Sequence, residues 1–300
     1  YIKRTRSDQY RSQHRGGKGI KGASLRGDDV VEHFFVTTTH SWILFFTNLG
    51  RVYRAKGYEL QEAGRDAKGQ HIANLLEFQP EERIAQVIQI QSYEDAPYLV
   101  LATVQGRVKK SRLSDYESAR SGGLISINLN EGDKLIGASL CSNEDDLLLV
   151  SEEGQSIRFS ADDEQLRPMG RSTAGVKGMR FRGDDHLLAM TVVRDGSYLL
   201  VATAGGYGKR TSMDEYSVQG RGGVGVVTFK YNPKRGKLIG ALAVDDDDQI
   251  FAITSAGGVI RTEVNQIRPS SRATMGVRLV NLEDGIELLA IDRNAKARRK

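Results

Sequence analysis

Residues 13–22, QHRGGKGIKG, carry the feature that decides the fold, because this stretch returns five more times in degenerate form. The copies read HRGGKGIKG, GRDAKGQHIANL, ARSGGLISINL, GRSTAGVKGMRF, GRGGVGVVTFK and SRATMGVRLVNL, with anchor glycines at Gly19, Gly69, Gly123, Gly175, Gly225 and Gly276. An arginine stands four residues before the anchor in every copy but the third, where it is shifted to Arg120. A period of about fifty residues is typical of repeat architectures.

Each repeat is predicted to contain four β-strands. A short apolar run precedes a turn with the pattern Thr-x-x-Gly or a close variant, and a further run follows the turn, which is the signal of a β-hairpin. WILFF before TNLGRVYR (residues 42–54) and YLLVA before TAGGYGKR (residues 198–210) are two examples. A third run follows the anchor glycine, and a fourth follows another turn, as in KLIGALAV (residues 237–244). No long window has the 3.6-residue period of a helix, so the fold is predicted to be all-β.

Four antiparallel strands repeated radially predict a six-bladed β-propeller-like disk, which leaves only short, protected sheet edges. The repeats run from end to end without a linker rich in Pro or Ser, so residues 1–300 are expected to form a single domain. Residues 1–4 align with the second hairpin strand of later repeats, and no apolar strand or turn precedes them. We therefore expect the chain to be a fragment of a longer protein.

Positive charge is concentrated rather than evenly spread. The formal net charge is +5, and residues 1–22 hold seven basic side chains against Asp8 alone. In addition, every repeat carries Lys or Arg three or four positions after the turn glycine or in the aligned position: Lys3, Arg4, Arg54, Lys109, Lys110, Arg158, Lys209, Arg210 and Arg261. On a radial fold, one position per blade becomes a ring of charge. Such a ring suits double-stranded DNA, which is bound through its phosphates largely without regard to sequence.

The glycine-rich stretch RGGKG has the chemistry of a phosphate grip. Its glycines let the backbone approach a phosphate closely and offer N–H groups. Arg15 can bind phosphate oxygens as a planar fork, and Lys18 supplies a mobile point charge. The same basic surface is expected to include Arg11, His14 and Lys21. Residues 219–225, QGRGGVG, form a weaker second copy through Arg221, with Val224 in place of the lysine.

Catalytic and metal chemistry find no support in the sequence. The glycine-rich stretches lack the GxxxxGK[ST] spacing of a P-loop, and no GxSxG elbow exists. The five histidines and Cys141 have no metal-ligand spacing, and no apolar run reaches the length of a membrane span. We therefore expect no catalytic residue, no metal site and no cofactor in this domain.

Residues 13–19, QHRGGKG, resemble the seven-residue box of the DNA gyrase A C-terminal domain family, whose pattern is Gln-Arg-Arg-Gly-Gly-Lys-Gly. The resemblance covers all six repeats. It implies a six-bladed β-pinwheel, a propeller relative with strands swapped between blades, which wraps DNA around its perimeter. The implied box residues are Gln13, His14, Arg15, Gly16, Gly17, Lys18 and Gly19. His14 stands where the family pattern has arginine, so the charge at this position depends on pH near 6.5.

The resemblance also implies the setting in which this domain works. In that family, the wrapped DNA presents a positive crossover to the cleavage core, so that strand passage introduces negative supercoils. The chain would then be a non-catalytic part of an ATP-dependent type II topoisomerase in the bacterial cytoplasm, at the nucleoid, with ATP and Mg²⁺ used by other domains. Its implied partners are duplex DNA, the N-terminal cleavage core of the gyrase A protein, and the gyrase B protein, in an A2B2 heterotetramer. The isolated domain is expected to be a monomer.

Other interpretations stay open at this point. One is the C-terminal domain of the topoisomerase IV A protein, which usually lacks an intact box. Another is a propeller that binds proteins on its flat face, and a third is an enzyme with a site in a central channel. DNA binding that collapses between about 50 and 200 mM salt would favour the DNA-wrapping interpretation over a protein-binding scaffold.

Overall fold

The computed structural model describes residues 1–6, 37–64 and 66–293, together with the backbone of residues 12–13, 20–21 and 294. These residues form four sheets of four strands and a fifth sheet of five strands. Each sheet is built on an antiparallel hairpin of two six-residue strands, and we number the sheets 1 to 5 in chain order. The hairpins are Trp42–Thr47 with Arg51–Lys56, Tyr98–Thr103 with Arg107–Arg112, Asp146–Ser151 with Gln155–Ser160, Tyr198–Thr203 with Tyr207–Ser212, and Gln249–Thr254 with Gly258–Glu263.

A seven-residue inner strand pairs antiparallel with the first strand of each hairpin. The inner strands of sheets 1 to 5 are Ile84–Ile90, Leu135–Cys141, Leu187–Val193, Leu238–Val244 and Leu288–Asn294. Successive inner strands contact one another from sheet 1 through sheet 5. The sheets therefore radiate from a shared centre, as the repeat pattern predicts.

The hydrophobic core lies in layers between neighbouring sheets. Leu44 and Phe46 of sheet 1 pack with Leu99 and Leu101 of sheet 2, and all four side chains are completely buried. The alternate residues of the same strand, such as Phe45, face a second buried cluster on the other side. Because both faces of a strand are covered, its sequence is a continuous apolar run rather than an alternation.

The outermost strand of each sheet comes from the following repeat, so strands are exchanged between neighbours. The outer strands of sheets 1 to 4 are Leu124–Ile125, Val176–Lys177, Val226–Val227 and Val277–Arg278. In sheet 5, Ser12–Gln13 pairs in parallel and Ile20–Lys21 antiparallel with Gly258–Glu263. The N-terminal repeat thus completes the sheet of the C-terminal repeat, which joins the two ends of the chain.

The outer strands are two residues long, although the sequence predicts a full third strand. The amides of Ser126 and Ile127 both donate to the carbonyl of the turn glycine Gly50, at 2.8 and 3.2 Å. The same pair of bonds converges on the turn glycine of sheets 2, 3 and 4. Two successive amides that share one acceptor bend the chain out of the ladder, and pairing ends there. In the second repeat, the third run forms the 3₁₀ helix Ile72–Asn74 instead of a strand.

The expectation of six blades is wrong for the described residues, which form five sheets. The first repeat explains the difference. No hairpin partner precedes residues 1–6 in this sequence, and they are held by single bridges from Ile2 to Gln70 and from Arg4 to Glu62. The two short strands that follow belong to sheet 5. Residues 22–36 of this repeat lie outside the described residues.

Helical structure in the described part is confined to short 3₁₀ segments. Besides Ile72–Asn74, these are Gly57–Glu59, Leu113–Tyr116, Met213–Glu215 and Val264–Gln266. Four of them directly follow the second strand of a hairpin and precede the loop that contains the next anchor glycine. None of the helices described has the length and apolar character needed to cross a membrane.

Candidate nucleic-acid interface

The structure places Gln13, the first box residue, and Lys21, two residues beyond the box, on the outer edge of sheet 5. The backbone of Gln13 pairs with Thr262, and that of Lys21 pairs with Gly258. His14, Arg15, Gly16, Gly17, Lys18 and Gly19 lie outside the described residues, as does Arg11. The two short strands Ser12–Gln13 and Ile20–Lys21 therefore take the outer position in sheet 5.

Most of the predicted ring of cations lies at one structural position, the centre of the second hairpin strand. These cations are Arg54, Lys110, Arg158, Arg210 and Arg261. Together with Arg4, which holds the aligned sequence position in the first repeat, we call them the strand cations. In each sheet the strand cation contacts the first residue of the neighbouring hairpin strand. These contacts are cation–π stacking over Trp42, Tyr98 and Tyr198, at 4.1, 4.6 and 4.4 Å from the ring centres, and polar contacts with Asp146 and Gln249 at 2.9 and 2.6 Å.

Several strand cations also form hydrogen bonds with the following repeat. Four of them donate to backbone carbonyls of the following repeat: Arg4 to Leu60 (2.7 Å), Lys110 to Ala161 (2.6 Å), Arg158 to Met213 (3.0 Å) and Arg210 to Ile267 (2.5 Å). The same four side chains form ion pairs with Glu62, Asp163, Asp146 and Asp246. Each of these four cations is therefore paired with a carboxylate within the fold.

Three further lysines donate hydrogen bonds to backbone carbonyls in the segments around the anchor glycines. We call them the clamp lysines: Lys3, Lys109 and Lys209. The ammonium of Lys109 donates to the carbonyls of Ser126 (2.5 Å) and Arg171 (2.6 Å). The ammonium of Lys209 binds the carbonyls of Ser271 and Arg272, and that of Lys3 binds those of Gly64 and Ala67. Burial lowers the pKa of Lys109 to about 7 and that of Lys209 to about 8, and it also lowers the pKa of Lys3.

The interpretation of the repeated cations as a DNA-facing ring must be corrected at four positions. Lys109 and Lys110 are completely buried, Lys209 is 1% exposed and Arg210 is 4% exposed. A buried cation whose donors already bind carbonyls has no surface to offer a phosphate. Lys3, Arg4, Arg54, Arg158 and Arg261 are partly exposed, but each is engaged in contacts within the chain. Their assignment to DNA stays a prediction.

The arginine four residues before the anchor glycine occupies a different environment. We call Arg171, Arg221 and Arg272 the loop arginines. Each is partly exposed and donates from one terminal nitrogen to the second residue of the preceding outer strand: Arg171 to Ile125 (3.1 Å), Arg221 to Lys177 (2.7 Å) and Arg272 to Val227 (2.5 Å). Arg221 was predicted as a DNA contact from its box-like loop, whereas Arg171 and Arg272 were not. Their shared spacing from the anchor was the signal that could have identified them.

The outer strands form a rim with exposed side chains. Their second residues, Ile125, Lys177, Val227 and Arg278, are all exposed. On sheet 4, the ring of Tyr207 lies between two guanidinium groups, with Arg235 at 4.5 Å and Arg278 at 5.1 Å from its centre. Among the residues that the structure describes, no cluster of His, Cys, Asp and Glu could hold a metal ion. The chemistry that this rim offers is electrostatic and hydrogen bonding.

The family model of the DNA gyrase C-terminal domain, described as a β-propeller, matches the chain repeat by repeat. The matched segments are residues 1–38, 41–91, 97–142, 145–194, 197–245 and 248–291. The chain belongs to the DNA gyrase C-terminal domain family. This membership confirms the resemblance drawn from the box and the repeats. The family model divides the chain at the same six repeats as the sequence pattern, including the first repeat, which lacks its own sheet among the described residues.

The curated relatives that the chain resembles include A subunits of DNA gyrase. It is 70% identical over 295 residues to the A subunit of DNA gyrase from Mycolicibacterium smegmatis strain mc(2)155, with 98% of the chain and 35% of that protein covered. It is 61% identical over 305 residues to the A subunit of DNA gyrase from Streptomyces coelicolor, with 100% of the chain and 36% of that protein covered. The chain therefore spans about a third of the length of the curated relatives that it matches.

Two solved structures have the same fold. A DNA gyrase A C-terminal domain superimposes with a TM-score of 0.87 at 26% identity, covering 98% of this chain and 96% of that one. The C-terminal domain of a DNA topoisomerase IV superimposes with a TM-score of 0.73 at 28% identity, covering 85% of this chain and 79% of that one. The more complete superposition is with the gyrase domain, in agreement with the family match.

Proposed function

We propose that residues 1–300 form a non-catalytic domain of a gyrase A protein, which bends duplex DNA and wraps it around the rim formed by the outer strands. The observation that carries this proposal is the position of Gln13, the first box residue, and of Lys21, two residues beyond the box. Gln13 and Lys21 pair with the outer hairpin strand of sheet 5, so the most basic segment of the chain continues the row of outer strands. The membership in the gyrase C-terminal domain family supports the same conclusion.

Physical reasoning explains why a rim is needed in addition to one strong grip. Bending a 20–30 bp duplex by 40–90° costs on the order of 1–6 kcal/mol, and a fuller wrap costs more. A single phosphate site offsets little of this cost, whereas a succession of cationic contacts releases counterions at each step. In this proposal, residues 13–19 fasten one DNA segment, and exposed cations on the rim guide the rest.

The remaining parts of the proposal concern the whole protein. The domain acts beside the N-terminal cleavage core of the gyrase A protein and beside the gyrase B protein, in an A2B2 enzyme of the bacterial cytoplasm where ATP and Mg²⁺ serve other domains. The domain itself uses no cofactor and is a monomer when isolated. The wrapped DNA presents the crossover whose passage through the cleaved duplex introduces negative supercoils.

The decisive test compares the parent enzyme with a variant in which residues 13–19 are deleted. We expect negative supercoiling to be lost and relaxation to be retained, because the deletion removes the wrap but leaves the cleavage chemistry. A variant with Arg15→Ala and Lys18→Ala should lower DNA bending in a FRET assay in the same direction. Unchanged supercoiling in the deletion variant would contradict the proposal. Absence of DNA retardation at low salt would favour a protein-binding scaffold instead.

A further inference from the structure

The three loop arginines occupy successive junctions between neighbouring sheets. Arg171 lies in the loop that leads to the outer strand of sheet 2, and it donates to Ile125 of the outer strand of sheet 1. Arg221 spans sheets 2 and 3 in the same way, and Arg272 spans sheets 3 and 4. The three arginines therefore form a row along the rim, with one arginine at each junction between neighbouring sheets.

The hydrogen bonds leave part of each guanidinium available. An arginine side chain carries five N–H donors. Arg171 and Arg272 each use one donor toward the preceding outer strand, and Arg221 also donates to the carbonyl of Gln165 at 2.8 Å. The bond to the rim fixes the direction of a long side chain, which lowers the entropy lost when a second ligand binds.

The charge of the loop arginines is not neutralised by the fold. The acceptors of their guanidinium groups are neutral backbone carbonyls, and no carboxylate forms an ion pair with any of the three among the residues described. The carboxylate of Glu215 accepts from the backbone N–H of Arg272 at 3.0 Å and not from its guanidinium. The strand cations Arg158 and Arg210, by comparison, are paired with Asp146 and Asp246. A partly exposed guanidinium without an acidic partner has the fork geometry that binds a phosphate.

We propose that Arg171, Arg221 and Arg272 are the phosphate contacts that guide duplex DNA across the junctions between sheets 1 to 4. This inference rests on the proposed DNA-wrapping function and assigns that function to particular side chains. In the sequence, Arg15 of the box holds the same position relative to its anchor glycine, but it lies outside the described residues. The loop arginines thus extend the chemistry of the box to three other repeats.

The test uses the 300-residue chain and a linear duplex long enough to follow the rim, labelled at both ends for FRET. The variant carries Arg171→Gln, Arg221→Gln and Arg272→Gln. The slope of log K against log salt should become shallower by about 0.9 for each lost phosphate contact. End-to-end FRET should fall, because the duplex is no longer held at three successive junctions.

A matched control removes the same number of charges elsewhere. Arg83, Lys134 and Lys237 are exposed and share one repeat position, immediately before the inner strands of sheets 1, 2 and 4. The control carries Arg83→Gln, Lys134→Gln and Lys237→Gln. It should keep a salt slope within about one unit of the parent chain, since slope follows the number of phosphates contacted. If the salt slope became equally shallow in both triple variants, binding would depend on net charge alone, and the inference would be overturned.

Folding and function are separated by a second variant and by the parent chain. If the first triple variant melts well below the parent, Ile125→Glu, Lys177→Glu and Val227→Glu place carboxylates beside the loop arginines while keeping their backbone hydrogen bonds. The same loss of slope is expected from this variant. A parent chain that binds no DNA refutes the proposed function itself. A parent chain that binds and bends DNA, with folded variants that keep its salt slope, refutes the loop-arginine assignment alone.

Discussion

The strand cations and the loop arginines both recur with the period of the repeat, yet the fold uses them in different ways. Arg210, a strand cation, is 4% exposed, stacks on Tyr198, donates to the carbonyl of Ile267 and pairs with Asp246. Arg221, a loop arginine, is partly exposed, and its guanidinium donates to backbone carbonyls. A charge that recurs in every repeat is therefore not necessarily available to a ligand. The availability of a cation depends on whether the surrounding fold supplies acidic or aromatic partners for it.

The largest expected effect concerns the glycine that positions the loop of Arg221. Gly225 has φ +79°, and a Cβ at this position would lie 1.9 Å from the carbonyl oxygen of Ser156. Left-handed strain and overpacking each cost about 1–3 kcal/mol, so Gly225→Ala should lower the free energy of unfolding by about 2–6 kcal/mol. Denaturant titration measures this change.

Gly220, in the same loop, provides the matched control. A Cβ there meets no atom within 4 Å, so Gly220→Ala should change the free energy of unfolding by about 0.5 kcal/mol or less. A similar decrease in the free energy of unfolding of the two variants would show that Gly225 does not fix the position of the loop. That result would remove the structural basis for a fixed Arg221.

The second prediction exchanges the two kinds of arginine for methionine. Arg210→Met leaves the buried carbonyl of Ile267 without its donor and should destabilise the chain by about 1–3 kcal/mol. Its salt slope for DNA should match the parent chain at a temperature where both are folded. Arg221→Met should show the opposite pattern, with a stability change within about 1 kcal/mol and a shallower salt slope. A shallower slope for a folded Arg210→Met variant would place the strand cation among the DNA contacts and break the comparison.

The smallest expected effect is the pH dependence of the clamp lysines. The folded-state pKa values of Lys109 and Lys209 are about 7 and about 8, below the ordinary value of 10.5, because burial penalises the charged form. From pH 7 upward each of these two lysines binds a proton more strongly in the unfolded chain than in the folded chain, so their contribution to the free energy of unfolding should increase with pH. The increase is at most about 1.4 kcal/mol per pH unit for each group.

Denaturant titrations between about pH 7 and 8.5 measure this slope as the difference between the parent chain and a lysine variant. The difference is needed because burial raises the pKa of the Asp292 carboxyl to about 7 and that of the Cys141 thiol to about 12, so both groups add slopes of the opposite sign in this range. Lys109→Met should flatten the slope, whereas the exposed Lys134→Met should leave it unchanged. A Lys109→Met variant with the same pH slope as the parent chain would contradict the predicted effect of burial on the clamp lysines.

Much of the fold could be predicted from local sequence signals. The hairpins at residues 42–56 and 198–212 follow from an apolar run, a turn glycine with positive φ and a second run, and both are present. The third strand could not be predicted at its true length. It ends after two residues because Ser126 and Ile127 share the carbonyl of Gly50, a glycine of the preceding repeat.

The candidate site was predictable only in part for the same reason. The sequence indicates basic residues at a fixed repeat position, and that position is real. Whether Lys110 faces solvent depends on Asn143, Ala161 and Asp163, which approach it from distant parts of the chain. No local pattern around Lys110 records those partners.

By itself, the sequence determined the period, the all-β class and the family, because these depend on spacing and residue type within a single repeat. The tertiary structure alone decided which basic side chains remain at the surface and how many sheets are complete. Both depend on contacts between repeats, in which a carbonyl or carboxylate of one repeat desolvates and binds a cation of the repeat before it. Burial of that kind is a property of the assembled rim and centre, and it cannot be read from any one repeat.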